Sequence, residues 1–517
     1  MGPMTRASKA RVRSAAGPRR AAVAATPQPQ VGAAERIGVA HLTAEYWPFA
    51  RTGGLGEAVS GLATFQAAAG LPTTVVMPLY QLVRETTPSL ERTGSPLVIT
   101  VGGHAERAWL YRTPDAGPGP QVFFIEHPDF FDRAGIYGDG GADYPDNARR
   151  FAFFCLAALT ALPEIAPATR VLHAHDWHTA LAPVYVRTAL AGQPFHRRLA
   201  IVLSVHNAGF QGHFPAGTLA ELGLPGELYN GGVFEWYGRM NALKGGLAFS
   251  DLAVTVSPTH AKELRTPEGG FGLHDTFTAL GDRLTGILNG IDPGLWNPET
   301  DPNITANYSG DDLAGKRRCK AALQRAYGLP QRANAPLFGM SARMVAQKGL
   351  DLVLGADLPA IADAQFIFLG AGEHRYHEAL GDLAAAVPDR VAVEFMFTDH
   401  LEHRLLAGAD GLLMPSLYEP CGLTQMRAQR YGTIPVARRV GGLTDSITDG
   451  GTGFLFDEYT PAALEQTVRR AVECHADRTA WRKVVRAAMA QSFGWDRSAD
   501  QYLALYQRAL AVRPVSH

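Results

Sequence analysis

Two adjoining stretches decide the fold: the apolar run Gly411-Leu-Leu-Met-Pro415, and Tyr418-Glu-Pro-Cys-Gly-Leu-Thr-Gln425, which opens an amphipathic segment. A strand that ends in a carboxylate and is followed by a glycine and a helix start is how open α/β sheets place a reactive group beside a bound phosphate. A second such pattern begins at Ile434, where an apolar run leads into arginines and the pair Gly441-Gly442. These neighbouring strand ends predict a sugar phosphate bound between them.

Length, charge and cysteine content set the limits. A chain of 517 residues exceeds the size at which one core keeps growing, so two domains of roughly 200 to 250 residues are expected. The formal net charge of -1 argues against nucleic acid or an anionic membrane as a partner. The four cysteines form no CxxC pair, which favours reduced thiols over disulfides or zinc. No apolar run reaches the roughly 18 residues that a membrane helix needs.

The N-terminal segment has its own composition. Its first 30 residues contain basic but no acidic side chains, and Ala, Ser, Pro and Gln fill most of the rest. Such a composition cannot bury a core, so residues 1–35 are expected to form a disordered basic tail. An arginine-rich, acid-poor leader also resembles an organelle transit peptide. We favour the plain tail and a cytoplasmic protein, with a plastid location as the alternative.

Short apolar runs alternate with longer helical patterns, which predicts parallel sheets with crossover helices. The first series of candidate strands is Ile37–Leu42, Thr74–Met77, Val122–Ile125, Val171–Ala174, Ile201–Val205 and Leu252–Val256. The second series begins at Leu337 and continues with Phe366–Leu369, Val391–Phe395, Gly411–Met414, Ile434–Val436 and Gly453–Phe456. The stretch from Pro293 to Asn303, rich in Pro, Asn and Asp, reads as a linker between them. The pattern predicts two doubly wound domains in tandem.

Polar residues cluster where the candidate strands end: Glu45, Asp176, His178, His206, Asn207, Ser257, Arg343, Gly370–Gly372, Glu419 and Gly441. In open α/β sheets the carboxyl ends of the strands line the ligand crevice, so two such rims would form a cleft between the domains. Any one of these residues alone is more simply a turn or helix-capping residue. Their common position at the same end of the strands favours a functional site.

The stretch Arg51-Thr-Gly-Gly-Leu-Gly-Glu57 opens a helix, because Leu55, Val59 and Leu62 follow with helical spacing. The first amides of that helix could hold an anion. A long connection separates the stretch from the strand end at Leu42, and Val59 replaces the third glycine of GxGxxG, so this is not a dinucleotide motif. Taken alone, a Gly-Gly pair before a helix is more often a loop than a phosphate site.

Together these blocks resemble bacterial glycogen synthases and plant starch synthases. The resemblance runs from about Ile37 to about Tyr506 and rests on these blocks: Arg51–Leu55, His173–His178, Val205–Gly212, Val256–Thr259, Leu288–Asp292, Ser341–Arg343, Gln347–Gly349 and Tyr418–Gln425. It implies the GT-B architecture of two Rossmann-like domains that face a central cleft, at residues 36–290 and 291–494, with residues 495–517 folding back on the first. It also implies transfer of glucose from ADP-glucose to the non-reducing end of an α-1,4-glucan such as glycogen, with retention of configuration.

The resemblance assigns the leaving group to cations and amides. The growing negative charge on a departing diphosphate needs fixed positive groups. Arg343 and Lys348 match the family pair that supplies them, although both could instead be surface charges. The amides of Gly53-Gly54 and Gly441-Gly442 are expected to supplement this pair, and Arg51 is expected beside the donor. No DxD motif follows a strand, so neither a metal nor another cofactor is expected.

The resemblance also assigns residues to the sugar, and they come from both rims of the cleft. It implies that His206 and Asn289 contact the donor glucose, that Asp176 is an essential cleft carboxylate, and that Glu419 holds the glucose or stabilises an oxocarbenium-like state. The residues after Glu419 complete the donor-binding set: Cys421, Gly422, Leu423 and Thr424. His206 could instead be a core histidine and Glu419 a helix-capping carboxylate. Cys421 is interpreted as a small residue at a tight turn, because no His and acid partner accompany it in sequence.

Two positions depart from the family pattern, and a third distinguishes the chain from other retaining GT-B enzymes. The family usually has lysine where this chain has Arg51 and aspartate where it has Glu57, and arginine is wider and planar. Many other retaining GT-B enzymes carry a second glutamate where this chain has Arg427; glycogen synthases also lack it, which argues against the sucrose, trehalose and mannosyl-type relatives. Two alternatives stay open: a GT-B transferase with another donor or a small acceptor, and an inactive glucan-binding homologue.

Overall fold

The computed structural model describes residues 37–114, 117–361 and 364–512. The predicted tail over residues 1–35 lies outside the described residues, as do residues 513–517 of the predicted C-terminal segment. Within the described ranges no helix is both long enough and apolar enough to cross a membrane.

The strands in the described part of the chain are numbered in chain order. They are β1 Gly38–Leu42, β2 Thr73–Pro78, β3 Glu91–Val101, β4 His104–Arg112, β5 Gln121–Glu126, β6 Gly138–Asp139, β7 Ala142–Asp143, β8 Thr169–His175, β9 Ala200–Val205, β10 His213–Pro215, β11 Glu235–Trp236, β12 Arg239–Asn241, β13 Leu252–Thr255, β14 Leu284–Gly286, β15 Leu337–Ser341, β16 Gln365–Leu369, β17 Val391–Glu394, β18 Gly411–Met414, β19 Ile434–Arg438 and β20 Phe454–Phe456.

The α-helices are numbered in the same way. They are α1 Gly54–Ala68, α2 Gln81–Thr86, α3 Pro128–Phe131, α4 Asn147–Ile165, α5 Leu181–Arg187, α6 Pro194–Arg197, α7 Thr218–Glu221, α8 Ala242–Phe249, α9 Pro258–Glu263, α10 His274–Ala279, α11 Ala314–Ala326, α12 Leu350–Gly355, α13 His374–Ala386, α14 Asp399–Gly408, α15 Thr424–Arg430, α16 Gly441–Ser446, α17 Pro461–Ala476, α18 Arg478–Met489 and α19 Trp495–Val512.

The first large sheet has the strand order β14-β13-β9-β8-β1-β2-β5-β4-β3. All its pairings from β14 to β5 are parallel, and they include the whole first series of predicted strands. The hairpin β3–β4 extends one edge in antiparallel fashion and was not predicted. Most residues of β3 are exposed, so this edge strand lacks the continuous apolar run that marks a buried strand.

The second large sheet has the order β17-β16-β15-β18-β19-β20, and every pairing in it is parallel. It contains the whole second series of predicted strands. Its interior strands are almost continuously buried, as expected for a parallel sheet with crossover helices on both faces. Two doubly wound parallel sheets in tandem are what the alternation of apolar runs and helical patterns predicts.

The chain crosses from one core to the other after β14. Ile287 packs in a core beneath the first sheet, whereas Ile291 and Trp296 pack in the core of the second. Helix α19 then returns to the first sheet, where Tyr506 packs with residues of β1 and β9 such as Val202. We call the part built on the first sheet, including α19, the first domain, and the part built on the second sheet the second domain.

The carboxyl ends of strands from the two domains meet. Ser257, two residues after the end of β13, donates its hydroxyl to the carbonyl of Pro420 at 2.7 Å. In the next helix the amide and hydroxyl of Thr259 each bond to the Asp445 carboxylate at 2.8 Å. Because parallel strands bring their carboxyl ends to one edge, these contacts place the loops after both sheets along a shared cleft.

Candidate active site

Glu419 lies in the loop after β18, buried, with its charge compensated by a neighbouring lysine. Lys348 donates from Nζ to Oε2 of Glu419 at 2.6 Å, and the Ser416 hydroxyl donates to the same oxygen at 3.1 Å. A buried carboxylate is tolerated when it is paired and hydrogen-bonded in this way. Its Oε1 accepts no hydrogen bond from the described residues, so this oxygen remains for a ligand.

The residues on either side of Glu419 touch the first domain. The Tyr418 ring packs edge-on against Phe271 with a centroid distance of 4.9 Å. On the other side, the Pro420 carbonyl accepts the hydroxyl of Ser257. Glu419 therefore lies where the second domain meets the first.

The turn that carries Lys348 is fastened to this loop. Gly349 has φ of 77°, and a Cβ there would collide with the carbonyl of Pro415, so glycine is required by both conformation and space. The carbonyl of Gln347 accepts the amide of Leu417 at 2.8 Å. These contacts hold the lysine turn directly against the loop after β18.

Gly441 and Gly442 begin α16 behind the same loop. Gly441 has φ of 43°, and a Cβ at either glycine would collide with the backbone of Glu419 or Cys421. The Gly441 amide donates to Oε1 of Glu263 at 2.8 Å, and the Gly442 amide donates to the Glu419 carbonyl at 3.1 Å. Both amides thus have protein acceptors, and the pair acts in this structure as a close-approach turn that supports Glu419. Donor binding by these two amides stays a prediction.

The residues after Glu419 form a tight turn into α15. Gly422 has φ of 69°, and Gln425 donates from Nε2 to the carbonyls of Cys421 and Gly422 at 3.0 and 2.9 Å. Leu423 precedes the first helical residue, Thr424. Burial raises the pKa of the Cys421 thiol to about 12, so it is protonated at neutral pH. This supports the interpretation of Cys421 as a packing residue rather than a nucleophile.

Arg343 and Asn289 each present a side-chain group at this site that has no partner among the described residues. Arg343 is exposed after β15, forms no ion pair with the described residues, and its charge acts on the Tyr418 phenol. Asn289 is buried beside Cys421, and its Oδ1 has no hydrogen-bond partner in the described part of the chain. Since buried polar atoms are nearly always paired, an unpaired amide oxygen suits a ligand contact.

Asp176 organises the opposite rim. It follows β8 with φ of 57°, a left-handed conformation that is unusual for a residue other than glycine. Its Oδ1 accepts the amides of His206 at 2.7 Å and Asn207 at 3.4 Å. Burial raises the pKa of Asp176 to about 7; the two amides oppose this shift and the charge of Glu45 adds to it.

His206 follows β9 and is half-buried. Its Nε2 lies 3.0 Å from Nδ1 of His175. Burial lowers the pKa of His206 to about 3, so the imidazole is neutral at neutral pH. It can therefore orient a ligand by hydrogen bonding but does not add positive charge to the cleft.

The glycine turn before α1 is held by a buried glutamate. Glu45 accepts the amide and the hydroxyl of Thr52, each at 2.7 Å, and the amide of Gly53 at 3.4 Å. Gly54 faces the start of α15, since a Cβ there would lie 3.9 Å from Cδ1 of Leu423. The turn and the loop after β18 thus lie on opposite sides of the cleft, with donor binding by Gly53 and Gly54 still a prediction.

The two departures from the family, Arg51 and Glu57, are linked with Arg427 in one chain of ion pairs that crosses the cleft. Arg51 pairs with Glu57 in the first domain and with Asp399 of α14 in the second. Arg427 of α15 pairs with Glu57 across the cleft and with Glu402 at 3.0 Å. Both terminal nitrogens of Arg51 are therefore occupied by carboxylates, and its contact with a donor stays a prediction. We call these five residues the interdomain ion network.

Sequence reasoning treated these positions one at a time and missed the network. The signal was present in the charges, because two of the unusual residues are arginines and the third is a glutamate. Nothing in the sequence places Asp399 or Glu402 beside them, since that proximity depends on how the two domains pack.

Three buried histidines behind His206 could be considered as a metal site. One ligand atom from each of His41, His173 and His175 lies within 4.8 Å of the others. Their ring nitrogens, however, are already hydrogen-bonded to one another and to other side chains. This donor set is satisfied by hydrogen bonds, so we interpret it as a polar network rather than a metal centre.

Comparisons with known proteins identify the family of the chain. Residues 38–279 match the family described as starch synthase catalytic domain, and residues 328–487 match glycosyl transferases group 1. The chain is 44% identical over 474 residues to a glycogen synthase of Anaeromyxobacter dehalogenans, covering 90% of this chain and 98% of that protein. It is 40% identical over 480 residues to glycogen synthase 2 of Geobacter sulfurreducens, and the match covers 91% of this chain and 99% of that protein.

Solved structures extend the likeness to three dimensions. The catalytic domain of starch synthase IV from Arabidopsis thaliana, bound to ADP and acarbose, superposes with a TM-score of 0.83 at 32% identity and covers 92% of this chain and 99% of that one. Sucrose-phosphate synthase from Thermosynechococcus elongatus gives a TM-score of 0.59 at 17% identity, covers 92% and 100%, and shares the fold alone. The expected GT-B architecture is confirmed, and the chain belongs to the glycogen synthase and starch synthase family of glycosyltransferases.

Proposed function

We propose that this glycogen synthase transfers glucose from ADP-glucose to the non-reducing end of an α-1,4-glucan, with retention of configuration, in the cleft between its domains. The observation that carries the proposal is the ion pair between half-buried Lys348 and buried Glu419 in the loop after β18, flanked by contacts with the first domain. The starch synthase IV domain that superposes on this chain was solved with ADP, the nucleotide that an ADP-glucose donor releases.

The cations suit the leaving group. When the bond between the anomeric carbon and the diphosphate oxygen breaks, negative charge grows on the diphosphate. Lys348 is fixed by its glycine turn and by Glu419, so it acts without a large rearrangement. Arg343 has no ion pair among the described residues and is free to turn toward a phosphate. Lys348, which is held in place, and Arg343, which can turn, can together stabilise the negative charge of the diphosphate as it leaves.

Glu419 suits the sugar. Its unpaired oxygen can face the positive charge that develops at the anomeric carbon. Retention follows if the acceptor hydroxyl attacks on the face from which ADP leaves. The new bond then joins that hydroxyl oxygen to the anomeric carbon, and the hydroxyl proton passes to the departing diphosphate oxygen.

The first domain holds the other side of the donor. His206, kept in place through the Asp176 carboxylate, and Asn289, with its unpaired Oδ1, are the groups that we assign to the glucose. Substrate-positioning groups of this kind contribute by fixing a reactive geometry before the chemical step. We also propose that transfer needs no metal, because Lys348 and Arg343 supply the positive charge, and that the protein works in the cytoplasm, because all four of its cysteines are free thiols.

The proposal is tested by incubating the purified protein with glycogen and either ADP-glucose or UDP-glucose and measuring the released nucleotide. ADP-glucose is expected to give the higher kcat/KM, and a chelator is expected to leave the rate unchanged. A clear preference for UDP-glucose would overturn the donor assignment and would favour the alternative of a GT-B transferase with another donor.

A further inference from the structure

A continuous chain of hydrogen-bonded side chains leads from His206 into the first domain. We call the residues behind it the buried relay: His175, His41, Gln66, Tyr506, His173 and Ser204. Successive polar atoms from His206 to the last member lie between 2.7 and 3.0 Å apart. No member has more than 3% of its surface exposed. The relay is sealed from solvent, so it can influence a ligand only through His206.

Separate elements build this relay. The histidines come from the adjacent strands β1 and β8, and the terminal serine comes from β9. Gln66 lies on α1 and Tyr506 lies on α19, the last helix. Gln66 bridges the two halves, since its Oε1 is 2.8 Å from Nε2 of His41 and its Nε2 donates to the Tyr506 hydroxyl at 2.9 Å.

The orientation of the Gln66 amide, with Oε1 toward His41 and Nε2 toward Tyr506, sets the direction of every hydrogen bond in the relay. An imidazole can exchange donor and acceptor nitrogens and a hydroxyl can rotate, whereas an amide presents a fixed acceptor on one side and a fixed donor on the other. Because Oε1 of Gln66 only accepts, His41 must donate from Nε2. On the other side Tyr506 accepts from Gln66 and so donates to Nδ1 of His173.

The same direction reaches His206. A neutral imidazole carries one N–H, so His41 is left with an acceptor at Nδ1, toward which His175 donates from Nε2. His175 is then left with an acceptor at Nδ1, toward which His206 donates from Nε2. Nδ1 of His206 therefore carries a lone pair, and it accepts no hydrogen bond from the described residues.

The neutral state that this reasoning requires is supported by burial. Burial lowers the pKa of His41 to about 4 and that of His206 to about 3, and it lowers the pKa values of His173 and His175 well below the usual value. With the imidazoles neutral, each has one donor and one acceptor, as the relay requires.

We propose that the buried relay holds His206 as the Nε2–H tautomer, so that its free Nδ1 accepts a hydrogen bond from a hydroxyl of the donor sugar, and that Gln66 and Tyr506 are positioning residues for this contact. The inference rests on the proposed function, because a sugar in the cleft supplies the hydroxyl. It also gives the C-terminal helix a part in catalysis, since Tyr506 completes the relay.

The direct test is the tautomer of His206. In full-length protein labelled with ¹⁵N-histidine, long-range ¹H–¹⁵N correlations distinguish the protonated from the unprotonated ring nitrogen, and His206→Asn identifies the signal by its loss. The wild-type protein is expected to show a protonated Nε2 and an unprotonated Nδ1. A protonated Nδ1 would overturn the proposal.

Two substitutions interrupt the relay: Gln66→Leu removes the fixed amide, and Tyr506→Phe removes the hydroxyl that joins the halves. Each is expected to give a mixture of His206 tautomers and to raise the KM for ADP-glucose about tenfold, the scale of one lost hydrogen bond. Tyr185→Phe is the matched control, because this buried tyrosine donates to the Leu222 carbonyl at 2.9 Å outside the relay. The control is expected to lose similar stability without any change in tautomer or KM.

The outcomes separate the relay from general destabilisation. Two results would overturn the role of the relay. One is the wild-type Nε2–H tautomer of His206 in Gln66→Leu, and the other is a rise in KM for ADP-glucose in Tyr185→Phe as large as that in the relay variants. A wild-type protein with the expected tautomer but no transfer from ADP-glucose would instead overturn the proposed function, so the two failures are distinguishable.

Discussion

Lys348 and Glu419 are 71 positions apart in sequence and meet at 2.6 Å because they follow β15 and β18, which pair directly in the second sheet. Because neighbouring parallel strands end at the same edge of the sheet, the turns that follow them bring these two residues together as an ion pair. We propose that Oε1 of Glu419, which accepts no hydrogen bond from the described residues, faces the sugar, and that Lys348 faces the diphosphate.

Removal of either diphosphate cation should be costly. Lys348→Ala and Arg343→Ala are each expected to lower kcat/KM by about 10²-fold or more, because each removes a charge that stabilises the leaving group. The exposed α18 residues Lys483 and Arg482 provide matched control substitutions to alanine. Steady-state kinetics and melting temperatures check the prediction, and loss of activity that is matched by loss of fold in Arg343→Ala would contradict it.

The interdomain ion network predicts separable effects at Arg51. Arg51→Lys should retain most activity, whereas Arg51→Ala should raise the KM for ADP-glucose and lower kcat. Asp399→Asn removes only the interdomain partner of Arg51. It should therefore reproduce that part of the change in KM and kcat of Arg51→Ala that comes from the lost contact between the domains. Kinetics at low and high salt make the measurement, since ion pairs near the surface weaken with ionic strength. An alanine variant with unaltered kcat/KM would remove Arg51 from the site.

Asp176 predicts an unusual dependence of stability on pH. Its pKa in the folded protein is about 7, above the ordinary value, so the folded state binds more protons than the unfolded state between about pH 4 and pH 7, and stability falls as pH rises through this window. Asp176→Asn removes this effect, which is on the order of a few kcal/mol. The melting temperature of Asp176→Asn relative to wild type should therefore increase from pH 5 to pH 8. A melting-temperature difference between the variant and the wild type that stays constant from pH 5 to pH 8 would refute the raised pKa of Asp176.

Gly441 predicts a steric effect beside Glu419. Gly441→Ala places a Cβ against the Glu419 carbonyl, so activity and stability should both fall. Gly450→Ala is the control, because Gly450 also has positive φ, of 69°, but a Cβ at that position would meet no heavy atom within 4 Å. Both substitutions carry the conformational cost of about 1–2 kcal/mol for an L-residue in the left-handed region, and only the first adds a collision. Equal losses in the two variants would show that the close approach is unimportant.

The sequence predicts the parallel core strands well because each is an apolar run bounded by turn residues. It does not predict β3, whose exposed edge position requires few apolar side chains. It also predicts that Glu419, Arg343, His206 and Asp176 lie at strand ends, since motif and strand end coincide there.

Contacts between distant elements are harder to predict. The relay from His206 to Tyr506 depends on α19 lying against β1 and β9, and no local pattern specifies that Gln66 of α1 faces His41. His173 and His175 share one face of β8, which is the one sequence signal that points to the relay. The engagement of the Gly441 amide by Glu263 likewise follows from packing between the domains.

The most direct measurement follows radiolabelled glucose from ADP-glucose into glycogen, with the product then digested by β-amylase, which removes maltose from the non-reducing ends of α-1,4-linked chains. Transfer in the cleft around Glu419 predicts that label enters the polymer and is released as maltose by the digestion. Absence of label from the polymer, or label that resists β-amylase, would contradict the account.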